Sequence, residues 1–188
     1  PLDLRVGTVG RVLPHTEVKV IDEQGHIVPR GEPGELCVRG YNVMLGYWGE
    51  DERNSNGVDA VGWMHTGDIA TLDEQGYVRI VGRSKDMLIR GGENIYPREI
   101  EEFLFTHPKI QDAKVIGVPD ERWGEAVNAA VVLRAGETAT ADEIIAFCKE
   151  HLASYKAPKS VEFLESLPKN PQGKILKKEI RANYWTDK

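Results

Sequence analysis

The pattern of apolar residues changes once along this chain, at the polar stretch GRSKD, residues 82–86. Before it, short β-branched runs such as TEVKVID, ELCVRG and YVRIVG stand between turn residues, which is typical of antiparallel strands. After it, apolar strands alternate with amphipathic helical segments. Because strands and helices need different spacings of apolar residues, we predict an α+β chain with a β-rich unit at 1–84 and an α+β unit at 85–188.

The helices of the second unit are indicated by their first residues. Pro97 suits the first position of a helix in which Ile100 and Leu104 share one face. The segment TADEIIAFCKEHL begins with a capping box, in which Thr140 is followed three residues later by Glu143. Core strands are predicted for AKVIGV, AVNAAVVL and SVEFLE.

A repeated tetrapeptide predicts turns in the first unit. Asp-Glu-Gln-Gly occurs at Asp22–Gly25 and again at Asp73–Gly76, each time between two apolar runs. Its glycine suits a positive φ, so each copy predicts a hairpin turn.

Composition excludes some classes of partner. The 24 Lys and Arg residues against 30 Asp and Glu give a net charge of −6, which argues against a nucleic-acid or anionic-membrane surface. Cys37 and Cys148 have no histidine at metal-ligand spacing, so we expect two buried free thiols. No apolar run approaches the ~20 residues of a membrane span, and no signal peptide is recognisable. These features predict a cytoplasmic protein without a transmembrane segment.

A lysine ends the loop LPKNPQGKIL near the end of the sequence. Pro168, Pro171 and Gly173 discourage regular structure, and Lys174 follows them directly. Lys174 is either a solvated turn residue or a cation delivered to an anionic substrate, and the loop alone leaves both readings open.

Three more polar clusters contain candidate binding residues. In GWMHTGDIA, Asp68 stands where a strand is predicted to begin, and its carboxylate either accepts ribose hydroxyls or caps a turn. His65 has no acidic partner visible in the sequence, so we do not assign it as a base. Arg83 and Lys85 lie in the boundary stretch GRSKD. The pair Gly91–Gly92 either lets a ligand approach the backbone closely or forms a hairpin.

The order of six such motifs resembles one enzyme family. The matching stretches are GELCVRGYNVMLGYW, GWMHTGDIA, GRSKDMLIRGGENIYPREIE, GVPDERWGEAV, YKAPK and LPKNPQGKIL. In this order they resemble the adenylate-forming family of acyl-CoA synthetases, firefly-type luciferases and peptide-synthetase adenylation domains. The resemblance covers essentially the whole chain.

The resemblance also implies that part of the family's catalytic machinery is missing. Members carry a Ser/Thr/Gly-rich phosphate loop and a Tyr-Gly-x-Thr-Glu segment that holds adenine and helps bind Mg²⁺, and neither motif occurs in this sequence. We therefore expect a C-terminal fragment. Residues 1–84 would be the last subdomain of the large AMP-binding domain, a distorted β-barrel, and residues 85–188 the small mobile lid domain. The Mg²⁺ ligand would lie in the missing part, and no metal ligand is expected here.

Roles are implied for the residues that match the motifs. Asp68 resembles the acceptor of the ribose hydroxyls, and Arg83 adds a second contact to the nucleotide, ATP or AMP. Lys174 resembles the catalytic lysine that bridges the substrate carboxylate and the α-phosphate. Lys85 corresponds to the hinge of the small domain, and Gly91–Gly92 would allow the pantetheine of coenzyme A to pass.

The leading hypothesis is a fragment of an ATP-dependent acyl-CoA synthetase, most like the medium- and long-chain fatty-acid branch, and inactive in isolation. Its partners would be a small-molecule carboxylate, ATP, CoA and the missing N-terminal domain, with a homodimer also conceivable. One alternative is an adenylation domain that loads a carrier protein. Another is a non-catalytic module that binds CoA or a partner.

Overall fold

The computed structural model describes residues 1–49 and 57–185. The chain divides into two compact units, Pro1–Lys85 and Asp86–Lys188. The division falls within GRSKD, where the sequence pattern changes. None of the helices among the described residues is long and apolar enough to cross a bilayer.

The first unit is built on an antiparallel sheet with the strand order β1-β2-β3-β4. After the short helix α1 (Leu2–Gly7), the strands are β1 (Thr16–Ile21), β2 (Gly34–Gly40), β3 (Met64–Leu72) and β4 (Val78–Arg83). Apolar residues alternate along the strands, and on one face of the sheet they form a small core of Val20, Leu36, Ala70 and Val78. The backbone around Gly10 extends the sheet beyond β4, because Val78 exchanges hydrogen bonds with Val9 and Gly10.

Both Asp-Glu-Gln-Gly copies form the predicted hairpin turns. Asp22 Oδ1 accepts hydrogen bonds from the backbone N–H groups of Gln24 and His26, at 2.9 and 2.8 Å. Asp73 Oδ1 makes the same two bonds to Gln75 and Tyr77. In each copy the glycine donates its N–H to the aspartate carbonyl and has a φ of +83°. Each turn therefore depends on one short acceptor side chain and one left-handed residue.

The second unit confirms the predicted α+β class. Its strands are β5 (Leu88–Arg90), β6 (Glu93–Ile95), β7 (Ile110–Asp120), β8 (Gly124–Leu133) and β9 (Ser160–Phe163), and its helices are α2 (Pro97–Leu104), α3 (Ala141–His151) and α4 (Lys177–Ala182). The sheet order is β6-β5-β8-β7, and β9 pairs in parallel with β8. The central parts of the long hairpin β7–β8, residues 115–118 and 126–132, are buried, which explains their nearly continuous apolar sequence.

The two longer helices begin as the sequence predicts. Pro97 is the first residue of α2, and the Thr140 hydroxyl caps α3 by accepting the Glu143 N–H at 3.2 Å. Ile100 and Leu104 of α2 are fully buried in the main core. The same helix also buries Glu101, which the apolar pattern does not reveal.

Candidate active site

The Thr66–Gly67–Asp68 segment is a bulge inside β3, and this corrects the prediction that the strand begins near Asp68. The strand starts at Met64, and its ladder to β2 is interrupted between the pairs Cys37↔His65 and Glu35↔Ile69. Three residues of β3 thus oppose a single residue of β2. The sequence analysis missed this because Thr, Gly and Asp are typical of turns, whereas the bulge is created by pairing on both sides of them.

The bulge brings Asp68 beside Arg83. The two are direct partners in the β3–β4 ladder, and Arg83 Nε lies 2.9 Å from Asp68 Oδ1. The Asp68 side chain is 27% exposed and the Arg83 side chain is 49% exposed, so both remain accessible to a ligand. A carboxylate with accessible oxygens beside a guanidinium is suited to a ligand that carries hydroxyl groups and an anion.

His65 has an acidic partner that the sequence does not show. Its Nδ1 donates to Glu35 Oε2 at 2.8 Å, and the buried Cys37 Sγ lies 3.7 Å from the same nitrogen. Glu35 is 30 positions away in sequence, so only the β2–β3 pairing brings the two groups together. His65 is 28 positions from Cys37, so the spacing of residues in the sequence does not reveal this neighbour, and the thiol is free and buried as predicted.

This cluster does not fit the Mg²⁺ that the family resemblance implies. The donor atoms of Glu35, Cys37 and His65 lie within 4.8 Å of one another. A thiol and an imidazole suit softer ions, whereas Mg²⁺ prefers an octahedral shell of oxygen atoms. The hydrogen bond from His65 also occupies one of the two carboxylate oxygens. We therefore assign no magnesium role to these residues.

Gly91–Gly92 forms the two-residue turn between β5 and β6. Both glycines have positive φ, +60° and +89°, as a type I′ hairpin turn requires. A Cβ on Gly91 would lie 2.7 Å from Trp123 Cε3, whereas a Cβ on Gly92 would have no atom within 4 Å. The hairpin alternative is therefore observed, and the open side of Gly92 leaves space for a ligand.

The Lys174 loop is a third use of the turn seen at Asp22 and Asp73. Asn170 Oδ1 accepts hydrogen bonds from the N–H groups of Gln172 and Lys174, at 3.1 and 2.8 Å. Asn170 N–H donates to the Lys174 carbonyl, and Gly173 has a φ of +79°. Lys174 thus stands at the exit of a closed hairpin. Its side chain is exposed and makes no ion pair with any residue in the described ranges.

The segment after Lys174 is anchored by charged residues that sequence reasoning did not select. Lys177, the first residue of α4, places its Nζ 3.4 Å from Asp86 Oδ2 and 3.3 Å from Glu101 Oε1. Glu101 also accepts hydrogen bonds from Lys114 Nζ at 2.6 Å and from the Val115 N–H at 3.0 Å. Glutamates at helix positions are usually solvated, so only the packing of α2 against β7 identifies this one as an anchor.

The structure groups the selected residues within each unit. Asp68 and Arg83 are in contact in the first unit, while Gly91–Gly92 and Lys174 occupy separate hairpins of the second. Lys85 is exposed and lies in the 3₁₀ turn Ser84–Asp86, at the division between the units.

Two family models match parts of the chain. The model of the AMP-binding enzyme C-terminal domain matches residues 99–174, and the model of the AMP-binding enzyme matches residues 1–48. The two matches follow one another in the order that the motifs predict.

Similar proteins include one that is named an acyl-CoA ligase and one that is named a putative acyl-CoA synthetase. The chain is 50% identical over 181 residues to the mitochondrial medium-chain acyl-CoA ligase ACSF2 of Rattus norvegicus. This match covers 96% of the chain and 29% of ACSF2. It is 51% identical over 179 residues to the putative acyl-CoA synthetase YngI of Bacillus subtilis (strain 168), covering 94% of this chain and 32% of the relative. The chain thus spans about a third of the length of these relatives.

A solved structure shows the same fold. ATP-bound MatB from Rhodopseudomonas palustris matches with a TM-score of 0.89 and 40% identity, over 95% of this chain and 36% of that one. Sequence, motif order and fold agree, and the chain therefore belongs to the adenylate-forming family.

Proposed function

We propose that this chain is the C-terminal part of an ATP-dependent acyl-CoA ligase, which joins a carboxylic acid to CoA through an acyl-adenylate and releases AMP and pyrophosphate. The observation that carries the proposal is the Lys174 hairpin. It presents an exposed lysine without an ion-pair partner among the described residues, at the exit of a turn closed by four hydrogen bonds.

The chemistry of adenylation gives that lysine a role. A substrate carboxylate must approach the α-phosphate of ATP, and the two anions repel each other. An ammonium group between them reduces this repulsion and orients the attack. Asp68 would hold the ribose hydroxyls and Arg83 would contact the same nucleotide. The paired side chains are both partly exposed, which leaves them accessible to that ligand. The carboxylate oxygen then displaces pyrophosphate, and the acyl-adenylate forms.

Thioester formation would use a different part of the second unit. A rotation at the exposed Lys85 would exchange the Lys174 hairpin for the Gly91–Gly92 hairpin at the reacting centre. The open side of Gly92 leaves space for pantetheine. The CoA thiol would attack the acyl carbonyl, and AMP would leave.

The names of the relatives support a substrate class. ACSF2 is named a medium-chain acyl-CoA ligase, which supports a fatty acid of that class as the substrate here. Mg²⁺ would be held by the family's magnesium segment outside residues 1–188. A domain boundary near Lys85 belongs to the same proposal, since the chain divides into two compact units there. A cytoplasmic location is proposed with it.

Separate half-reactions of the complete ligase test these roles. Lys174→Ala should abolish acyl-adenylate formation and leave the conversion of supplied acyl-adenylate to thioester largely intact. Lys178→Ala, an exposed lysine on α4, is the matched control and should change neither step. Lys85→Pro should spare adenylation and impair thioester formation. An equal loss of both half-reactions in Lys174→Ala would refute the role given to the lysine.

Sequencing the gene upstream of the Pro1 codon tests the proposal as a whole. A reading frame that continues into a Ser/Thr/Gly-rich loop and a Tyr-Gly-x-Thr-Glu segment would support it. A start codon directly before Pro1 would contradict it. Adenylate formation by the 188-residue chain alone would overturn the expectation that this segment is inactive in isolation.

A further inference from the structure

The bulge that carries Asp68 is held by side chains from outside it. Because Thr66–Gly67–Asp68 leaves the β2–β3 ladder, its backbone groups need other partners. The Asp68 N–H donates to the Thr66 hydroxyl at 3.1 Å, which is a contact within the bulge. The Gly67 carbonyl accepts a hydrogen bond from the Ser84 hydroxyl at 3.2 Å.

Glu35 makes a charged contact to the backbone of this bulge. Its Oε1 accepts the Gly67 N–H at 3.1 Å, and its Oε2 accepts the His65 Nδ1–H at 2.8 Å. Both oxygens of one carboxylate are therefore engaged, so the group cannot rotate without losing a hydrogen bond. Hydrogen bonds to an ionised acceptor are stronger than those between neutral groups, which makes Glu35 the strongest restraint on the Thr66–Gly67 peptide, one residue before Asp68.

The surroundings show why this restraint matters. Ile69, directly after the bulge, is buried, and Cys37, opposite His65, is fully buried, so the ladder is fixed on both sides. Within these limits the direction of the chain at Asp68 depends on three backbone contacts of the bulge. Glu35 holds the Gly67 N–H, Ser84 holds the Gly67 carbonyl, and the Thr66 hydroxyl holds the Asp68 N–H. The Glu35 and His65 side chains are 28% and 31% exposed, so a hydrophobic core does not hold them in place.

We infer that Glu35, held by His65, is a positioning residue that fixes the Thr66–Gly67–Asp68 bulge so that the Asp68 carboxylate faces the ribose hydroxyls of the nucleotide. Glu35 itself touches no substrate. This inference rests on the proposed function, since it needs a nucleotide at Asp68.

The test compares ATP with 2′,3′-dideoxy-ATP in adenylation by the complete ligase. Hydrogen bonds from the ribose hydroxyls to the charged Asp68 carboxylate would strengthen the binding of ATP but not of the dideoxy nucleotide. In the wild type we therefore expect kcat/KM to be roughly ten- to one-hundredfold higher for ATP. Asp68→Ala should remove this preference. Glu35→Ala should reduce it at least about fivefold, while kcat/KM for the dideoxy nucleotide changes less than about twofold. His65→Ala should reduce it less, because the bond from Gly67 to Glu35 remains.

Two controls separate positioning from a general structural role. Glu35→Gln keeps an acceptor for the Gly67 N–H and should restore most of the preference. Glu17→Ala removes another strand carboxylate, ion-paired with Arg39, and should leave the preference unchanged. Thermal melting identifies any variant that does not fold. If Glu35→Ala does not fold, the ATP preferences of Glu35→Gln and His65→Ala are compared instead. The first should stay near the wild-type preference and the second should be reduced.

The outcomes distinguish this inference from the proposed function. If Asp68→Ala keeps the preference for ATP, the nucleotide site itself is wrongly assigned. If Asp68→Ala loses it but Glu35→Ala lowers kcat/KM for both nucleotides equally, or leaves the preference intact, only the positioning role is overturned.

Discussion

Asp68 and Arg83 pair across the β3–β4 ladder, with Arg83 Nε 2.9 Å from Asp68 Oδ1. The pair joins the bulged segment of one strand to the last residue of the next. Because both side chains are partly exposed, the pair contributes little to stability and remains available to a ligand.

Loss of Asp68 should therefore affect binding more than folding. In the complete ligase we expect Asp68→Ala to change the free energy of unfolding by at most about 1 kcal/mol. The KM for ATP should rise roughly tenfold or more. Arg83→Ala should weaken ATP binding in the same direction, and Arg79→Ala, an exposed arginine of the same strand, is its control. Denaturant unfolding measures the free energy of unfolding, and initial rates measure the KM for ATP. A large loss of stability with a normal KM would contradict the assignment.

The Asn170 side chain should matter for catalysis because it closes the Lys174 hairpin. Asn170→Ala removes two hydrogen bonds and should lower stability by about 1–2 kcal/mol. It should also slow adenylation, while thioester formation from supplied acyl-adenylate is spared. Asn170→Asp keeps an acceptor oxygen, like that of Asp22 and Asp73 in their turns. Its effects on stability and on the adenylation rate should therefore be smaller than those of Asn170→Ala. Asp22→Ala removes the equivalent two bonds and serves as the control, since its adenylation rate should be normal.

The two glycines of the β5–β6 turn should respond differently to substitution. Gly92→Ala meets no neighbouring atom and should cost only the ~1 kcal/mol of a left-handed residue. Gly91→Ala adds a collision with the Trp123 ring, so its cost should reach about 2–4 kcal/mol. Urea unfolding of the two variants measures the difference. A larger residue, as in Gly92→Leu, should slow thioester formation more than adenylation, and an unchanged thioester rate would argue against a pantetheine path there.

The buried thiols should make stability fall at alkaline pH. Burial raises the pKa of the Cys148 thiol from its ordinary 9.0 to about 11, and burial with the nearby Glu35 raises the pKa of Cys37 to about 11. Below pH 9 the thiols are protonated in both states and their contribution is fully present. As the pH rises from 9 to 11, only the unfolded chain ionises, so stability is lost.

The check is the free energy of unfolding at several pH values for the wild type and for Cys148→Ala. The difference between the two should change between pH 9 and 11, because alanine cannot ionise. At pH 8 both thiols should react slowly with a thiol reagent until the protein is unfolded. Rapid labelling of the folded protein would contradict the burial.

Local sequence signals predicted elements whose partners lie nearby in the chain. The Asp22 and Asp73 turns, the Thr140 cap and the start of α2 at Pro97 all depend on contacts within four residues, and each is confirmed. The buried state of both cysteines is confirmed as well. The roles of Asp68, Arg83, Lys85, Gly91–Gly92 and Lys174 stay predictions, which the experiments above test.

The sequence by itself determined the two patterns of secondary structure, the α+β class and the family, because periodicity and motif order are properties of the chain alone. Only the tertiary structure decided that the Thr66–Gly67–Asp68 segment is a bulge within β3, that Glu35 meets His65, and that Glu101 is a buried partner of Lys114 and Lys177. The physical reason is the range of these contacts. Strand pairing and helix packing join residues 13 to 76 positions apart, and no local pattern records which carboxylate will be brought to which donor.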